Sequence, residues 1–181
     1  MKNLIFAAYE FAAYAHRNQV RKYTNEPYVN HCLEVATLVI PVAPFGFLHE
    51  MIAAAYLHDV VEDCEVPIRL IDSLFGSEVA SLVSDLTDIS KPSDGNRETR
   101  KNIDRIHTRS ASPRAKTIKL ADLISNTRTI VQYDPDFARV YLREKERLLD
   151  ELTEGDASLF DMARTALLQG VLELKDKGLW K

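Results

Sequence analysis

The sequence predicts an all-α fold, a bundle of about eight to ten helices with no significant sheet. Three observations carry this. Apolar residues recur at three- and four-residue spacing along almost the whole chain, the pattern of helices with one buried face. Residues that start and stop helices punctuate that pattern, among them Pro41, Pro67, Gly76, Pro113 and Pro135. No run shows sustained period-two alternation of β-branched residues, so nothing reads as a strand.

Each element follows from local signals. Leu4, Ile5, Ala8, Phe11, Ala12 and Ala15 form the first amphipathic stripe. Asn18 to Pro27 is polar and reads as a loop. A second helix spans about Val29 to Ile40, ended by Pro41 and Pro44. A third runs from about Phe47 to Asp63 as one continuous element. Pro67 suits the first turn of a fourth helix, Ile68 to Phe75, which Gly76 stops. Ser77 is a good N-cap for a fifth, Glu78 to Leu86. Thr87 to Asn96, with Lys-Pro-Ser-Asp-Gly-Asn, is the most loop-like stretch. A basic helix follows over about Glu98 to Thr108, then one over Arg114 to Val131 opened by Ser112-Pro113. Asp134-Pro135 opens the next, to about Leu152, and a last helix covers about Ala157 to Lys177.

The bulk numbers narrow the function. A length of 181 residues, 46% of them hydrophobic, suits a single domain over 1–181 with a core of its own. A net charge of -4 argues against a general nucleic-acid binder, though a local basic pocket for a small anion is compatible with it. Cys32 and Cys64 make neither a disulfide framework nor a zinc-knuckle spacing and read as buried thiols. The apolar run from Met1 to Tyr9 is short, interrupted by Glu10 and followed by no small-residue cleavage pattern, so no leader is expected. No stretch is long enough to span a bilayer, and a cytoplasmic location is the expectation. Oligomeric state is not legible.

The chemistry concentrates in Leu57-His58-Asp59-Val60-Val61-Glu62-Asp63, which follows the apolar run Met51 to Tyr56. Ionisable groups at the end of a core helix are costly to bury unless they share a partner such as a metal. On a continuous helix His58 and Asp59 stand about 100° apart, and Glu62 and Asp63 fall one turn later on the same broad face. A metal site needs further ligands, and His31 and Asp122 lie on other helices with apolar flanks. Two imidazoles and two carboxylates suit Mn, Fe or Zn better than a soft thiolate-loving ion. Each residue alone has an ordinary reading: His31 a capping or surface residue, Asp122 a solvated or salt-bridged helix residue, Glu62 and Asp63 an acidic helix end. The joint order on three helices carries the argument.

That order, His31, His58-Asp59, Asp122, resembles the HD superfamily of metal-dependent phosphohydrolases. Gln19-Val20-Arg21-Lys22, Glu26-Pro27-Tyr28-Val29-Asn30-His31, the His58 to Asp63 run, and Leu120-Ala121-Asp122 with Asn126 resemble, more narrowly, the hydrolase domain of RelA/SpoT homologs over about residues 1 to 150. The Phe75-Gly76 stop and Leu86-Thr87 fit as well. The resemblance implies an HD-type helical bundle and a manganese-dependent (p)ppGpp 3′-pyrophosphohydrolase, a stand-alone small alarmone hydrolase without the synthetase domain of the long members. It implies metal ligation by His31, His58, Asp59 and Asp122, a catalytic pair in Glu62 and Asp63, and nucleotide contacts from Arg21, Lys22, Tyr28, Asn126 and Thr129. The chain departs from the family pattern at His31-Cys32, where His-Pro is usual. It departs also at Asn18 and Asn25, where glycines are common, in a loop one residue longer, and at Leu123, where a basic residue is frequent.

Two readings compete with this one. The same chemistry on another nucleotide, such as (p)ppApp, a nucleotide 5′-phosphate or a phosphorylated dinucleotide cofactor, keeps the metal set. A catalytically silent nucleotide-binding module has no need of the Glu62-Asp63 pair. Between Arg97 and Lys119 lie eight basic residues against Glu98 and Asp104, a patch able to steer a polyphosphate or simply a solvated helix face. His16, His49 and His107 read as surface or helix-end residues.

Overall fold

The structure, a computed structural model, describes residues 3–180; of the N-terminal run, Met1 and Lys2 lie outside the described residues, as does Lys181 at the other end. In chain order the helices are α1 (Leu4–Ala15), α2 (Val29–Val39), α3 (Leu48–Leu57), α4 (Val60–Asp63), α5 (Ile68–Phe75), α6 (Ser77–Leu86), α7 (Arg97–Arg109), α8 (Pro113–Tyr133), α9 (Pro135–Leu149) and α10 (Ala157–Asp176). Short 3₁₀ turns cover Phe45–Phe47 and Pro92–Asp94. The one departure from helix and coil among the described residues is an isolated antiparallel bridge between Val20 and Pro27. No described helix is long and apolar enough to cross a membrane.

The starts are where the side chains place them. Asn3, Asn96, Ser112, Asp134 and Asp156 each accept a hydrogen bond from a first-turn amide of the helix that follows, satisfying donors that no helical carbonyl can reach. Pro113 and Pro135 occupy first-turn positions, where the missing N–H costs nothing. Gly76 separates α5 from α6 at φ 89°, a conformation L side chains rarely adopt, and α6 begins one residue earlier than its Ser77 cap predicted. Asn25 sits at φ 57°. Its short polar side chain tolerates the left-handed region, which explains how it stands where glycine is common.

Two helices form the centre. Every residue of α3 from Met51 to Leu57 is buried, and Ala53, Ala54 and Ala55 let α1, α2, α6 and α8 approach closely. The long α8 is buried from Ala115 to Ile118 and from Leu120 to Ser125, enclosed by α2, α6, α9 and α10. Gly170 lets α10 pack closely on α8 and α9, since a Cβ there would meet Val131 Cγ2 at 2.9 Å and Leu142 Cδ2 at 3.2 Å.

The expectation of one helix from Phe47 to Asp63 is corrected. The chain breaks at His58-Asp59, α4 is a single turn, and Asp59 takes φ -101° and ψ -5°. The physical reason is local. Asp59 turns its carboxylate back toward His58 and toward the Tyr28 hydroxyl, which donates to Oδ2 at 2.6 Å. A continuous helix would hold neighbouring side chains about 100° apart. The break therefore gathers His58 and Asp59, and it sends Glu62 and Asp63 to different neighbours.

Candidate metal centre and its surroundings

Three elements deliver the cluster. His31 projects from the first turn of α2, His58 from the end of α3 and Asp122 from the middle of α8, all buried. Their ligand atoms lie within 4.8 Å of one another. Asp122 Oδ1 is 3.1 Å from His31 Nε2 and 3.8 Å from His58 Nε2. Asp59 Oδ2 is 2.9 Å from His58 Nε2 and 3.6 Å from His31 Nε2. The four residues singled out in the sequence therefore meet at one point, from positions up to 91 residues apart.

The donor set fits a cation. Both Nε2 atoms are buried and make no directed hydrogen bond, although carboxylate oxygens face them. Each ring meets a hydrogen-bonding partner at its other nitrogen: His58 Nδ1 lies 2.9 Å from the Ala55 carbonyl oxygen and His31 Nδ1 lies 3.0 Å from Ser125 Oγ. A carbonyl oxygen can only accept, so the neutral His58 carries its proton on Nδ1 and presents a lone pair at Nε2. Such a partner at the second nitrogen is the usual arrangement of a metal-ligating imidazole.

Electrostatics point the same way. Burial works against the charged form of His58, but the Asp59 and Asp122 carboxylates outweigh it and raise its pKa well above the ordinary value. Burial likewise works against ionised Asp59 and Asp122, yet the imidazoles hold both below the usual carboxylate range. A pocket that draws a proton onto an imidazole this strongly has an unmet demand for positive charge, which a divalent cation satisfies. Tyr28 and Asn126 complete the ring of partners, Asn126 Nδ2 donating to Asp122 Oδ1 at 2.6 Å.

Glu62 and Asp63 part company after the break. Glu62 is exposed as a residue, but its carboxylate turns toward the protein: Oε2 lies 3.4 Å from the Asp88 amide nitrogen, with Asp88, Lys119 and Asp59 as charged neighbours. Desolvation and the Asp88 charge together push its pKa up to about 7, against the opposing pull of Lys119. Asp63 is exposed and accepts from Gln19 Nε2 at 2.8 Å.

Lys22 is exposed and bonds the Tyr23 hydroxyl and Asp134. Arg21 is only 8% exposed, and its guanidinium donates to Glu34, Ser125 and Thr129. His16 does end a helix but is not on the surface: it is buried against Tyr28, ring centroids 4.7 Å apart, with Nδ1 2.7 Å from Gln19 Oε1. Cys32 is buried, its thiol pushed up to about 12 by burial, and Cys64 is half-buried beside His16; both thiols are free. Glu34 and Ser125 were missed as site neighbours. No periodic or motif signal marks them, because each acts through a contact distant in sequence.

The basic segment is largely paired. Arg97 makes a two-pronged bond to Glu144 at 2.7 and 2.8 Å, and Arg105 and Arg109 converge on Glu151. Arg114 pairs with Glu78 and covers the Phe47 ring, Lys116 pairs with Glu154, and Lys101 pairs with Asp88. These ion pairs tie α7 and α8 to α6, to α9 and to the segments that follow each of them, so most of the positive charge read along the sequence is spent on structure.

A sequence profile described as HD domain matches residues 8–152. The chain belongs to the HD domain family. The matched span of this HD domain holds all four residues of the cluster together with Glu62 and Asp63. Among relatives, the chain is 38% identical over 152 residues to a probable guanosine-3′,5′-bis(diphosphate) 3′-pyrophosphohydrolase of Synechocystis, covering 82% of this chain and 20% of that protein. It is 38% identical over 122 residues to the guanosine-3′,5′-bis(diphosphate) 3′-pyrophosphohydrolase MESH1 of Drosophila melanogaster, covering 67% of this chain and 66% of that one. The HD domain thus spans a fifth of the first relative's length and about two thirds of the second's. Its fold also matches the solved structure of a metazoan ortholog of SpoT that hydrolyzes ppGpp, with a TM-score of 0.79, 28% identity, and coverage of 99% of this chain and 98% of that one.

Proposed function

We propose that this HD domain hydrolyses the 3′-pyrophosphate of (p)ppGpp, releasing pyrophosphate and the guanosine di- or triphosphate, with manganese held by His31, His58, Asp59 and Asp122. The observation that carries the metal reading is the pair of buried imidazole nitrogens, His31 Nε2 and His58 Nε2, both without a directed hydrogen bond and both facing carboxylates. The substrate reading is supported by the activity named for the MESH1 relative and for the metazoan SpoT ortholog.

When bound, the cation supplies a Lewis acid that draws charge from a phosphoryl oxygen. The chain's own residues do the rest. Glu62, with a pKa near 7, is poised to take a proton from the attacking water at neutral pH, where a base of that strength is most effective. Asp63, whose carboxylate is held by Gln19 away from Glu62, is the second acidic group at the rim, and its part in orienting the water is carried over from the family resemblance. Tyr28 and Asn126 hold the Asp59 and Asp122 carboxylates in place, and the family resemblance assigns both to the nucleotide. The residue after Asp122 is the apolar Leu123 and brings no positive charge, so the exposed ammonium of Lys22 is the candidate for a solvent-side phosphate contact.

Purified protein loaded with manganese is expected to release pyrophosphate from ppGpp. A panel containing ppApp, a nucleoside 5′-monophosphate and a phosphorylated dinucleotide separates the substrates. Turnover of one of these and not of ppGpp, with the metal bound, would overturn the guanine assignment and leave the chemistry in place.

A further inference from the structure

The two imidazoles of the cluster need the same tautomer and obtain it in different ways. His58 has its Nδ1 against a main-chain carbonyl, Ala55 O, at 2.9 Å, which no substitution can remove. His31 has no such carbonyl. Its Nδ1 lies 3.0 Å from Ser125 Oγ, and that hydroxyl donates to Glu34 Oε2 at 2.5 Å. A serine hydroxyl has one proton to give. Since Glu34 takes it, Ser125 must accept from His31, and the direction of the chain is fixed from His31 Nδ1–H through Ser125 to the Glu34 carboxylate.

Arg21 closes this network. Its NH1 donates to the same Glu34 Oε2 at 2.9 Å and lies 3.4 Å from Ser125 Oγ, and its NH2 donates to Thr129 Oγ1 at 3.1 Å. The side chain of Glu34 is 57% exposed, and its carboxylate is drawn inward by the buried guanidinium together with the Ser125 hydroxyl.

We propose that Arg21, Glu34 and Ser125 are positioning residues that fix the tautomer and aim of His31 toward the cation. The proposal rests on the reading of the cluster as a divalent-metal site. It gives Arg21 a task different from the nucleotide contact that the family resemblance implied. Partners of this kind typically contribute 10–100-fold to metal affinity.

The test is calorimetric titration of manganese into metal-free protein. Ser125→Ala and Glu34→Ala are each expected to weaken binding by about 10–100-fold. Glu34→Gln, which keeps an acceptor, is expected to recover most of the loss. The double variant Ser125→Ala/Glu34→Ala should fall little further than Ser125→Ala alone, because both remove one chain of bonds. Glu34 is on the surface, so its variants fold even where a change at buried Ser125 does not. Arg21→Met should weaken manganese binding while the KM for ppGpp, taken at saturating manganese, changes by no more than about twofold. Wild-type manganese affinity in both Glu34→Ala and Ser125→Ala overturns the proposal. So does a raised KM in Arg21→Met with metal affinity unchanged, the pattern of a substrate contact. A wild-type protein that binds no divalent cation overturns it together with the metal reading. Metal binding without pyrophosphate release overturns the substrate assignment alone, and the Glu34 and Ser125 titrations still decide the positioning role.

Discussion

Replacing Glu62 by glutamine separates catalysis from stability. The carboxyl titrates near 7 rather than at its ordinary 4.5, lifted first by desolvation and then by Asp88. As a base it works only when ionised, so about one molecule in ten is competent at pH 6 and about nine in ten at pH 8. The rate of pyrophosphate release at saturating manganese should therefore climb through a midpoint at or below about 7, the bound cation pulling it downward. Glu62→Gln should lose about 10²–10⁴-fold in kcat, about 3–5 kcal/mol of transition-state stabilisation, together with that pH dependence. Stability moves the other way. A group whose pKa is raised on folding contributes fully below its unfolded value, near 4.5, and loses that contribution as pH rises through the folded value, near 7. Above pH 7 the wild type thus carries an ionised carboxylate that its surroundings disfavour, and Glu62→Gln should melt higher than wild type there. The assay pairs a pH–rate profile with thermal melts of both proteins at pH 5 and pH 8. A variant that keeps the wild-type rate, or keeps the same rise through pH 7, refutes the role given to Glu62.

Other consequences are open to direct measurement. Manganese at about a hundred times its Kd should stabilise the fold by about 2.7 kcal/mol in chemical denaturation, and Asp122→Asn should remove most of that increment. Gly170→Ala places a methyl 2.9 Å from Val131 Cγ2 and should cost about 1–3 kcal/mol, read as a melting temperature lowered by several degrees. Leu57→Ala, fully buried beside His58, should cost about 2–5 kcal/mol, checked by urea denaturation; an unchanged midpoint would contradict the close packing of α3.

The helices were legible because their signals are local. Caps such as Ser112 and Asp134, first-turn prolines at 113 and 135, and the stop at Gly76 each act within a few residues of where they stand. The cluster was legible for a different reason. His31, His58, Asp59 and Asp122 are ionisable residues on apolar helical flanks, and burial without a shared partner would be costly. What the pattern did not carry is partner choice. The break at His58-Asp59 depends on a hydroxyl from Tyr28, 31 residues away. The basic run of α7 and α8 read as a surface patch because its acceptors, Glu144, Glu151 and Glu154, follow 38 to 47 residues later. Arg21 lies in the polar stretch read as a loop and was expected, by resemblance, to face the nucleotide, yet its acceptors Ser125 and Thr129 are more than a hundred residues on. Periodicity reports which face of a helix is apolar; it is silent on which distant side chain a polar group will meet.

The most direct test of the account loads the chelator-stripped protein with manganese, counts the bound ions, and follows ppGpp by chromatography in the same sample. The expected result is one tightly bound ion per cluster, with GDP and pyrophosphate appearing together in equal amounts and both lost on chelation. Manganese bound at His31, His58, Asp59 and Asp122 with ppGpp left intact would contradict the proposed activity.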